Sequence, residues 1–212
     1  MSEAQDFPIC LQLRGKRVLL VGGGKLATLR LGSLLEVGAR VRVVAPEVSA
    51  EIEGHARTGA VFLERRPFAA QDCDGAFVVF SATDDRGANR AVVEAARARG
   101  ILVNAADAPE LCDFTVPSIG RQGFVTVAVA TSGQAPGLAR ILRHRLMAHV
   151  GPEYALLARL LGRLRRRVPG GPRRTQIISQ IIERGAAELI ARKDRRGLRT
   201  VVRQAFSSEE AQ

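Results

Sequence analysis

The chain has 212 residues, of which 46% are hydrophobic, and a formal net charge of +11. This length allows one medium domain plus a smaller appendage around a sizeable core. It contains no run near the roughly 18 apolar residues of a membrane span, and its first residues lack the basic-then-apolar layout of a signal peptide. The three cysteines, Cys10, Cys73 and Cys112, have neither disulfide nor metal-ligand spacing. We therefore expect a cytoplasmic protein without a bound metal.

The positive charge is confined to the second half of the chain. Residues 1–113 carry 14 Lys and Arg against 15 Asp and Glu, whereas residues 114–212 carry 18 against 6. Such a field favours a polyanion, which can be a nucleic acid, an anionic membrane or a small molecule. Aromatic residues make up only 4% of the chain and no helix-turn-helix pattern stands out, which argues against nucleic acid.

Strand and helix patterns alternate through the first half. A buried-type strand over Arg17–Val21 is followed by a helix whose apolar residues repeat from Ala27 to Leu35 and whose end is marked by Gly38. Further strands are predicted at 41–44, 60–63, 76–82 and 101–104, and helices at 52–56 and 86–99. This alternation predicts right-handed βαβ units and an α/β, Rossmann-like parallel sheet.

The pattern changes after residue 107. Two β-type runs, 114–119 and 124–130, are joined by Gly-Arg-Gln-Gly and predict a hairpin. A helix should start at Pro136 and run to about residue 149, and another should follow Gly151-Pro152 up to residue 167. The Pro- and Gly-rich residues 168–172 predict a linker. Helical stretches at about 174–192 and 195–205 complete the chain.

The segment Val18–Ala27, Val-Leu-Leu-Val-Gly-Gly-Gly-Lys-Leu-Ala, is the most informative one for function. Its spacing fits Gly-x-Gly-x-x-Gly/Ala, the dinucleotide-binding turn from a strand into a helix. The first glycine allows the turn, the second lets the backbone approach a pyrophosphate, and Ala27 keeps the helix close to the strand. The helix N-terminus then offers free N–H groups to the phosphates. The cofactor contacts predicted here are Gly22, Gly24, Lys25 and Leu26.

Other predicted contacts follow other strands, because ligands bind beyond the carboxyl ends of parallel strands. They are Pro46, Glu47, Thr83 and Asn104. Glu47 lies at about the right distance for a ribose-binding acid but follows a proline, so a ribose contact and a solvated loop residue both stay open. No Arg lies at this strand tip to receive a 2′-phosphate, which favours NAD over NADP.

Two further loops carry polar groups with open roles. Asp107 lies just past a strand end, where a base or proton relay would be useful, and the alternative is a turn aspartate before Pro109. Asp84 and Asp85 fit caps of the helix that starts at Arg86. The turn at 130–136, Ala-Thr-Ser-Gly-Gln-Ala-Pro, either holds carboxylates or caps the following helix.

Several of these segments together resemble the precorrin-2 dehydrogenase family, the N-terminal module of siroheme synthases. Some members of this family are also sirohydrochlorin ferrochelatases. The matching segments are 7–13, 21–24, 82–85, 104–109, 114–119 and 131–136, in the family's order and spacing. One departure is Ala-Thr-Ser-Gly at 130–133, where family members often have Ser-Ser-Gly-Gly, so the resemblance does not say which hydroxyl makes the contact there.

The resemblance implies NAD-dependent removal of two hydrogens from precorrin-2 to give sirohydrochlorin. Asp107 matches the family's catalytic aspartate. Bifunctional members also insert Fe²⁺ into the product, and the family forms homodimers through the part after the Rossmann domain. The substrate is rich in carboxylates, which suits the basic second half. The substrate contacts expected on this basis are Thr131, Ser132, Arg121, Arg140 and Arg143.

We therefore expect an NAD-binding Rossmann domain over 1–113, a dimerisation and substrate region over 114–150, and a basic helical region over 151–212. The methyltransferase domain of some family members has no room in this length. The expected partners are precorrin-2 and a second copy of the chain, with neither nucleic acid nor membrane. The alternative is an NAD-sensing binding protein whose basic helices bind nucleic acid or an acidic partner.

Overall fold

The computed structural model describes residues 6–106 and 108–207. The chain divides into two compact units, Met1–Val116 and Pro117–Gln212. Each unit has its own hydrophobic core. No helix of the described residues is long and apolar enough to cross a membrane.

The first unit is a parallel α/β sheet. Its elements are β1 (Arg17–Val21), α1 (Lys25–Glu36), β2 (Arg40–Val44), α2 (Ala50–Arg57), β3 (Val61–Glu64), a 3₁₀ turn (Ala70–Cys73), β4 (Val78–Ser81), α3 (Arg86–Arg97), β5 (Val103–Ala105) and a second 3₁₀ turn (Pro109–Leu111). The strand order is β3-β2-β1-β4-β5, and every neighbouring pair is parallel. The predicted Rossmann-like fold is confirmed.

Both faces of this sheet are buried. Along β1, Val18 and Leu20 pack on the face that carries α1, whereas Leu19 and Val21 pack on the face that carries α3. All four side chains are at most 4% exposed. A strand buried on both sides needs apolar residues at every position. This explains the continuous apolar run that leads into the glycine turn.

Local signals at helix ends agree with the structure. Gly38 has φ +75° and donates its N–H to Leu35 O at 2.9 Å, as expected of a glycine just past a helix end. Asp85 is the N-cap of α3, and its carboxylate accepts from the N–H groups of Gly87 and Ala88 at 2.7 and 3.1 Å. The predicted cap is therefore confirmed for Asp85.

Two predicted strands are shorter or shifted. The strand predicted at 76–82 spans Val78–Ser81, and the one predicted at 101–104 spans Val103–Ala105. The lead-in residues close the preceding turns instead of joining the sheet. Ala76 donates its N–H to Cys73 O, and Ile101 donates to Ala96 O, each at 3.0 Å.

The second unit combines a hairpin with five helices among its described residues. Its elements are β6 (Ser118–Gln122), β7 (Val125–Val129), α4 (Pro136–Met147), α5 (Pro152–Arg167), α6 (Pro172–Glu183), α7 (Ala186–Ala191) and α8 (Arg195–Ser207). The two strands are antiparallel. Helices α5 to α8 share a core that includes Leu157, Ile181 and Ala205.

The hairpin turn lies three residues later than its Gly-Arg-Gln-Gly segment suggests. Gln122 pairs with Val125, so the turn consists of Gly123 and Phe124, and Gly123 has φ +58°. Gly120 instead lies within β6, where a Cβ would come within 2.5 Å of Met147 Cγ. This glycine makes room for a side chain of α4 and does not form the turn.

The helix predicted over 174–192 is interrupted. Helix α6 ends at Glu183 and α7 begins at Ala186. Gly185, between them, has φ +74° and donates its N–H to Ile182 O at 3.0 Å. A left-handed glycine at this place ends a helix, so the prediction of one continuous helix was wrong.

Candidate dinucleotide site

Four strand ends meet at one edge of the parallel sheet, and backbone hydrogen bonds join them. Ala82 donates its N–H to Val21 O at 2.7 Å, Gly22 donates to Val44 O at 3.0 Å, and Ala106 donates to Ser81 O at 2.8 Å. The loops that follow β1, β2, β4 and β5 are therefore brought together. This is the edge where a doubly wound sheet binds its ligand.

The first two glycines of the turn after β1 are required by the fold itself. Gly22 has φ +117°, a conformation that is open to glycine but strained for other residues. A Cβ at Gly22 would also collide with Ala82 O, and a Cβ at Gly23 would collide with Glu47 O. The turn thus lies in direct contact with the loops after β4 and β2.

Gly24 differs from both, because the fold does not require a glycine there. Its φ of −80° and ψ of −167° are extended values that other residues adopt. A Cβ on Gly24 would find no described atom within 4 Å. The open space beside this backbone therefore leaves room for a ligand to approach the chain closely, as a pyrophosphate does in this motif.

The start of α1 is ready to receive an anion. Gly24 is the N-cap, and because it has no side chain it cannot cap the first N–H groups. The first turn of the helix contains no acidic residue. Lys25 and Leu26 are both exposed there. The first N–H groups of a helix have no partner inside the helix, and together with the helix dipole they favour phosphate. Ala27, by contrast, is fully buried against the sheet.

The loop after β2 is fastened to the glycine turn. Ser49 donates its N–H to Gly23 O at 2.9 Å, and its hydroxyl lies 2.8 Å from that of Thr28. The same hydroxyl caps α2 by accepting from Ile52 N at 3.3 Å. Pro46 and Glu47 are exposed at this loop. Whether Glu47 contacts a ribose or only solvent stays a prediction.

Two arginines of β2 and of the segment after β3 already have carboxylate partners. Arg42 of β2 and Arg66, just after β3, both pair with Glu64 and with Asp72. Asp72 is almost fully buried and also accepts from the Ala69 N–H at 2.9 Å. These cations are therefore engaged within the protein.

A buried pair of polar side chains holds the loop after β4. The Ser81 hydroxyl donates to Asn89 Oδ1 at 2.6 Å, and Asn89 Nδ2 donates to Thr83 O at 3.0 Å. The Thr83 hydroxyl accepts from Asp85 N at 3.2 Å. Sequence reasoning missed Asn89, although a polar residue on the buried face of an Ala-rich helix is a usable signal.

The loop after β5 is organised around a thiol. Cys112 Sγ lies 3.1 Å from Ala105 O and 3.2 Å from Ala105 N, and burial raises its pKa. Asn104, a predicted cofactor contact, donates its Nδ2 to Phe114 O at 2.9 Å. Its amide nitrogen is thus used within the protein. Asp107 lies outside the described residues.

The turn before α4 is tight and leaves the helix start open. Ser132 and Gly133 have φ +46° and +77°, and Gln134 donates its N–H to Thr131 O at 2.8 Å. The Thr131 hydroxyl accepts from Ala135 N at 3.1 Å. It therefore bonds the N-cap residue, and α4 has no side-chain cap on the N–H groups of its first turn.

The predicted substrate arginines are not all together. Arg143 Nε donates to Ser118 Oγ at 3.2 Å. Ser118 pairs with Val129 at the end of the hairpin that leads into the Thr131 turn. Arg140 lies one turn earlier on α4, whereas Arg121 lies three residues further along β6, roughly 10 Å away. Contacts of these residues with substrate stay predictions.

The parts of the chain that the structure describes contain no cluster of three His, Cys, Asp or Glu that could hold a metal ion. A groove of about 380 Å³ lies beside the edge strand β3, lined by residues that include Glu53, Phe62 and Arg65. It is separate from the glycine turn. The strand-end edge of the sheet is therefore the candidate site.

A parallel sheet of this order with a glycine turn before an uncapped helix defines a dinucleotide-binding protein of the Rossmann type. A model of the family described as "Putative NAD(P)-binding" matches residues 9–118, which is more than half of the chain. The chain belongs to this NAD(P)-binding family.

Similar proteins extend the comparison beyond this domain. The chain is 43% identical over 187 residues to the siroheme synthase of Methylococcus capsulatus, and 36% identical over 190 residues to that of Nitrosococcus oceani. These matches cover 86% and 88% of this chain but only 40% and 41% of the relatives. The chain thus spans about two fifths of the length of these curated relatives.

A solved structure of the precorrin-2 dehydrogenase SirC superposes with a TM-score of 0.75 at 26% sequence identity. This match covers 95% of the present chain and 100% of the SirC chain. The likeness therefore includes the helical second unit and is not confined to the dinucleotide-binding fold.

Proposed function

We propose that the chain is an NAD-dependent precorrin-2 dehydrogenase that produces sirohydrochlorin. The observation that carries this proposal is the match with SirC over the whole of the SirC chain. A generic dinucleotide fold would match only the first unit. The siroheme synthase relatives, which cover 86–88% of this chain, support the same assignment.

The cofactor fits the turn after β1. The N–H groups at the start of α1 bind the pyrophosphate, and the missing side chain at Gly24 lets it approach. Lys25 and Leu26 lie beside this pyrophosphate position. The other proposed contacts lie in the loops after the neighbouring strands: Pro46, Glu47, Thr83 and Asn104. When bound, the nicotinamide accepts a hydride from the macrocycle.

NAD is preferred over NADP at this site. A 2′-phosphate needs a cation at the tip of β2, and residues 45–48 supply none. The arginines of β2 and of the segment after β3, Arg42 and Arg66, are held by Glu64 and Asp72. Recruiting either one would leave the buried Asp72 carboxylate short of a partner.

Asp107 is the proposed catalytic base. Dehydrogenation removes one hydride and one proton from the substrate, so a group must take the proton from the macrocycle. A carboxylate in the loop after β5 is suited to this, because that loop follows a strand end at the edge of the sheet where the cofactor binds. Its neighbour Ala106 is anchored by its N–H bond to Ser81 O.

The second unit is proposed to bind the carboxylates of the substrate. The uncapped start of α4, the Thr131 and Ser132 turn, and the guanidinium groups of Arg140 and Arg143 all favour anions. Arg121, further along β6, would then reach a different carboxylate. This division of roles agrees with the excess of basic residues after residue 113.

A homodimer is proposed to form through α4. Its outward stripe carries Leu138, Ile141, Leu142 and Leu146, which are 36–52% exposed although all are large and apolar. Helical spacing places them on one face, and a continuous apolar face of this kind marks an interaction site. We also place the activity in the cytoplasm, which three free cysteines support.

Turnover of precorrin-2 by the purified protein tests the proposal. Under anaerobic conditions with NAD, the absorbance of sirohydrochlorin and of NADH should rise together. Asp107→Asn should lower kcat by about 10²- to 10⁴-fold while leaving the affinity for NAD unchanged. The matched control is Asp84→Asn, an exposed aspartate on another strand-end loop.

Three results would contradict this assignment. The first is no turnover by the wild type, and salt-sensitive DNA binding would then favour the alternative of an NAD-sensing protein. The second is full activity in Asp107→Asn, which would mean that Asp107 is not the catalytic base. The third is equal loss in both variants. A separate assay with sirohydrochlorin and Fe²⁺ decides whether the chain also inserts the metal.

A further inference from the structure

The Arg30 guanidinium lies over the ring of Phe80, which contacts Phe114, near the candidate site. Arg30 lies in the second turn of α1, is half-buried, and its Cζ is 5.2 Å from the centre of the Phe80 ring. Phe80 in turn meets Phe114 edge to face, with ring centres 5.5 Å apart and planes at 88°. The guanidinium is therefore held over an apolar platform.

This cation has no carboxylate partner among the residues that the structure describes. Its guanidinium instead faces the Phe80 ring. Burial lowers the pKa of Arg30, which agrees with a charge partly removed from water. By contrast, Arg42 of β2 and Arg66 just after β3 each pair with two carboxylates.

A half-buried charge without a partner is unfavourable unless an anion joins it. A guanidinium has five N–H donors, and a ring on one of its faces leaves the edges that carry them available. The expected occupant is therefore a carboxylate or a phosphate. Phe80 is only 5% exposed and therefore supports the guanidinium from one side, whereas Phe114 is only partly buried and leaves apolar surface for a group attached to that anion.

The position of Arg30 favours the substrate over the cofactor. Phe80 pairs in register with Leu20 and with Asn104, so the platform lies over β1, β4 and β5 and not beside the ribose side of β2. Arg30 is also five residues along α1 from Lys25, a rise of about 7.5 Å from the helix end that faces the pyrophosphate.

We propose that Arg30 is a specificity-determining residue that pairs with a side-chain carboxylate of the tetrapyrrole substrate while the buried Phe80 ring holds its guanidinium in place. This inference rests on the proposed function. A pyrrole that bears a carboxylate presents an anion to the guanidinium and an apolar ring that can pack on the partly buried Phe114. The pair forms on binding and persists through hydride transfer, so it lowers KM without raising kcat.

Two substitutions test this role, both in the full-length protein with NAD and precorrin-2. Arg30→Met keeps much of the apolar stem and removes the charge, and we expect KM for precorrin-2 to rise about 10- to 100-fold with kcat within threefold of wild type. Arg30→Lys should recover part of the loss. The difference in KM between wild type and Arg30→Met should shrink as ionic strength rises.

The control is Arg90→Met, which removes an exposed arginine of α3 and the same unit of net charge. It should leave KM within twofold of wild type. The affinity for NAD, measured without substrate, should be unchanged in all three variants. Urea unfolding shows whether each variant is folded. If Arg30→Met does not fold, the KM of Arg30→Lys, which should lie above that of wild type, is the test.

Three results overturn the inference. An unchanged KM in both Arg30 variants means that no substrate carboxylate binds there. A weakened affinity for NAD with unchanged KM assigns the cation to a cofactor phosphate. A shifted pH profile of kcat with unchanged KM means that Arg30 acts on a titrating group of the protein and not on the substrate. Absence of turnover in the wild type is a different result, because it contradicts the proposed function itself.

Discussion

Replacing Gly24 and Gly22 with alanine should separate what the fold needs from what the ligand needs. The added methyl group is the same in both variants, and the two positions are two residues apart in one turn. At Gly22 the methyl meets the Ala82 carbonyl and φ is +117°. At Gly24 it meets no described atom within 4 Å, and φ is −80°.

The expected stability effects differ in size. For Gly22→Ala, the strained backbone costs about 1–3 kcal/mol and the collision about 1–3 kcal/mol more. The total is a large part of the roughly 5–15 kcal/mol that stabilises a domain. For Gly24→Ala, the loss of a glycine N-cap, about 1 kcal/mol, is offset by the roughly 0.4–1 kcal/mol gained from a less flexible unfolded chain.

The expected effects on cofactor binding run the other way. Gly24→Ala should be as stable as wild type to within about 1 kcal/mol, yet its methyl group would occupy the space left for the pyrophosphate. We expect its Kd for NAD to rise at least about tenfold, equivalent to 1.4 kcal/mol. Urea unfolding followed by far-ultraviolet circular dichroism measures the stability, and isothermal titration calorimetry measures the affinity.

The reasoning fails if Gly24→Ala binds NAD as tightly as wild type, because the pyrophosphate then does not approach that backbone. It also fails if Gly24→Ala loses as much stability as Gly22→Ala. Gly32→Ala serves as the control, since it lies further along α1, where a Cβ also meets nothing within 4 Å. It should change the affinity for NAD by less than a factor of two.

Two other substitutions probe the sheet and the proposed dimer. Asp72→Asn should lower the free energy of unfolding by about 2–4 kcal/mol. Burial by itself raises the pKa of Asp72, but hydrogen bonds from Arg66 and the Ala69 N–H outweigh it, so the pKa is lowered overall. The stabilisation is therefore present above about pH 4 and is lost as the pH falls through the folded-state pKa. The difference in urea midpoint between wild type and variant should narrow accordingly, and a constant difference down to pH 2 would contradict this origin. Leu142→Asp on α4 should halve the mass measured by light scattering, whereas His144→Asp on the same helix should not. Equal masses for the two variants would argue against a dimer through that stripe.

The sequence was sufficient where structure depends on local patterns. A strand buried on both faces needs apolar residues throughout, so β1 and the turn after it were visible without coordinates. The cap by Asp85 and the glycine after α1 are likewise set by residues within a few positions of each other. The alternation of such elements was enough to predict that the strands form a parallel sheet, although not their order.

Glycines with distant contacts were harder to interpret. Gly120 looked like part of a turn, but its role is set by Met147, which lies 27 positions further along the chain. Gly23 was given no role of its own, although the Glu47 carbonyl leaves it no room for a side chain. In both cases the reason for the glycine is a packing contact between elements that the residue spacing alone does not reveal.

The candidate site was also only partly predictable. The strand-end loops were expected to meet, and the backbone bonds among them show that they do. Arg30, however, is one of many arginines on predicted helices. Its distinguishing feature is that it is partly buried, lies over the Phe80 ring and has no carboxylate partner within the described residues. This combination cannot be read from the sequence around it.

Helix α1 connects the two proposed binding events. Its N-terminal N–H groups lie at the proposed pyrophosphate position. Arg30, in its second turn, lies over Phe80 of β4. Because Leu31 and Leu34 are buried against the sheet, this helix cannot shift without disturbing the core. The distance between a bound pyrophosphate and a carboxylate held by Arg30 is therefore fixed by one rigid element. A hydride donor and its acceptor must be held in a close, aligned geometry to react. In the proposed binding mode, one helix would position both partners without any rearrangement of the sheet.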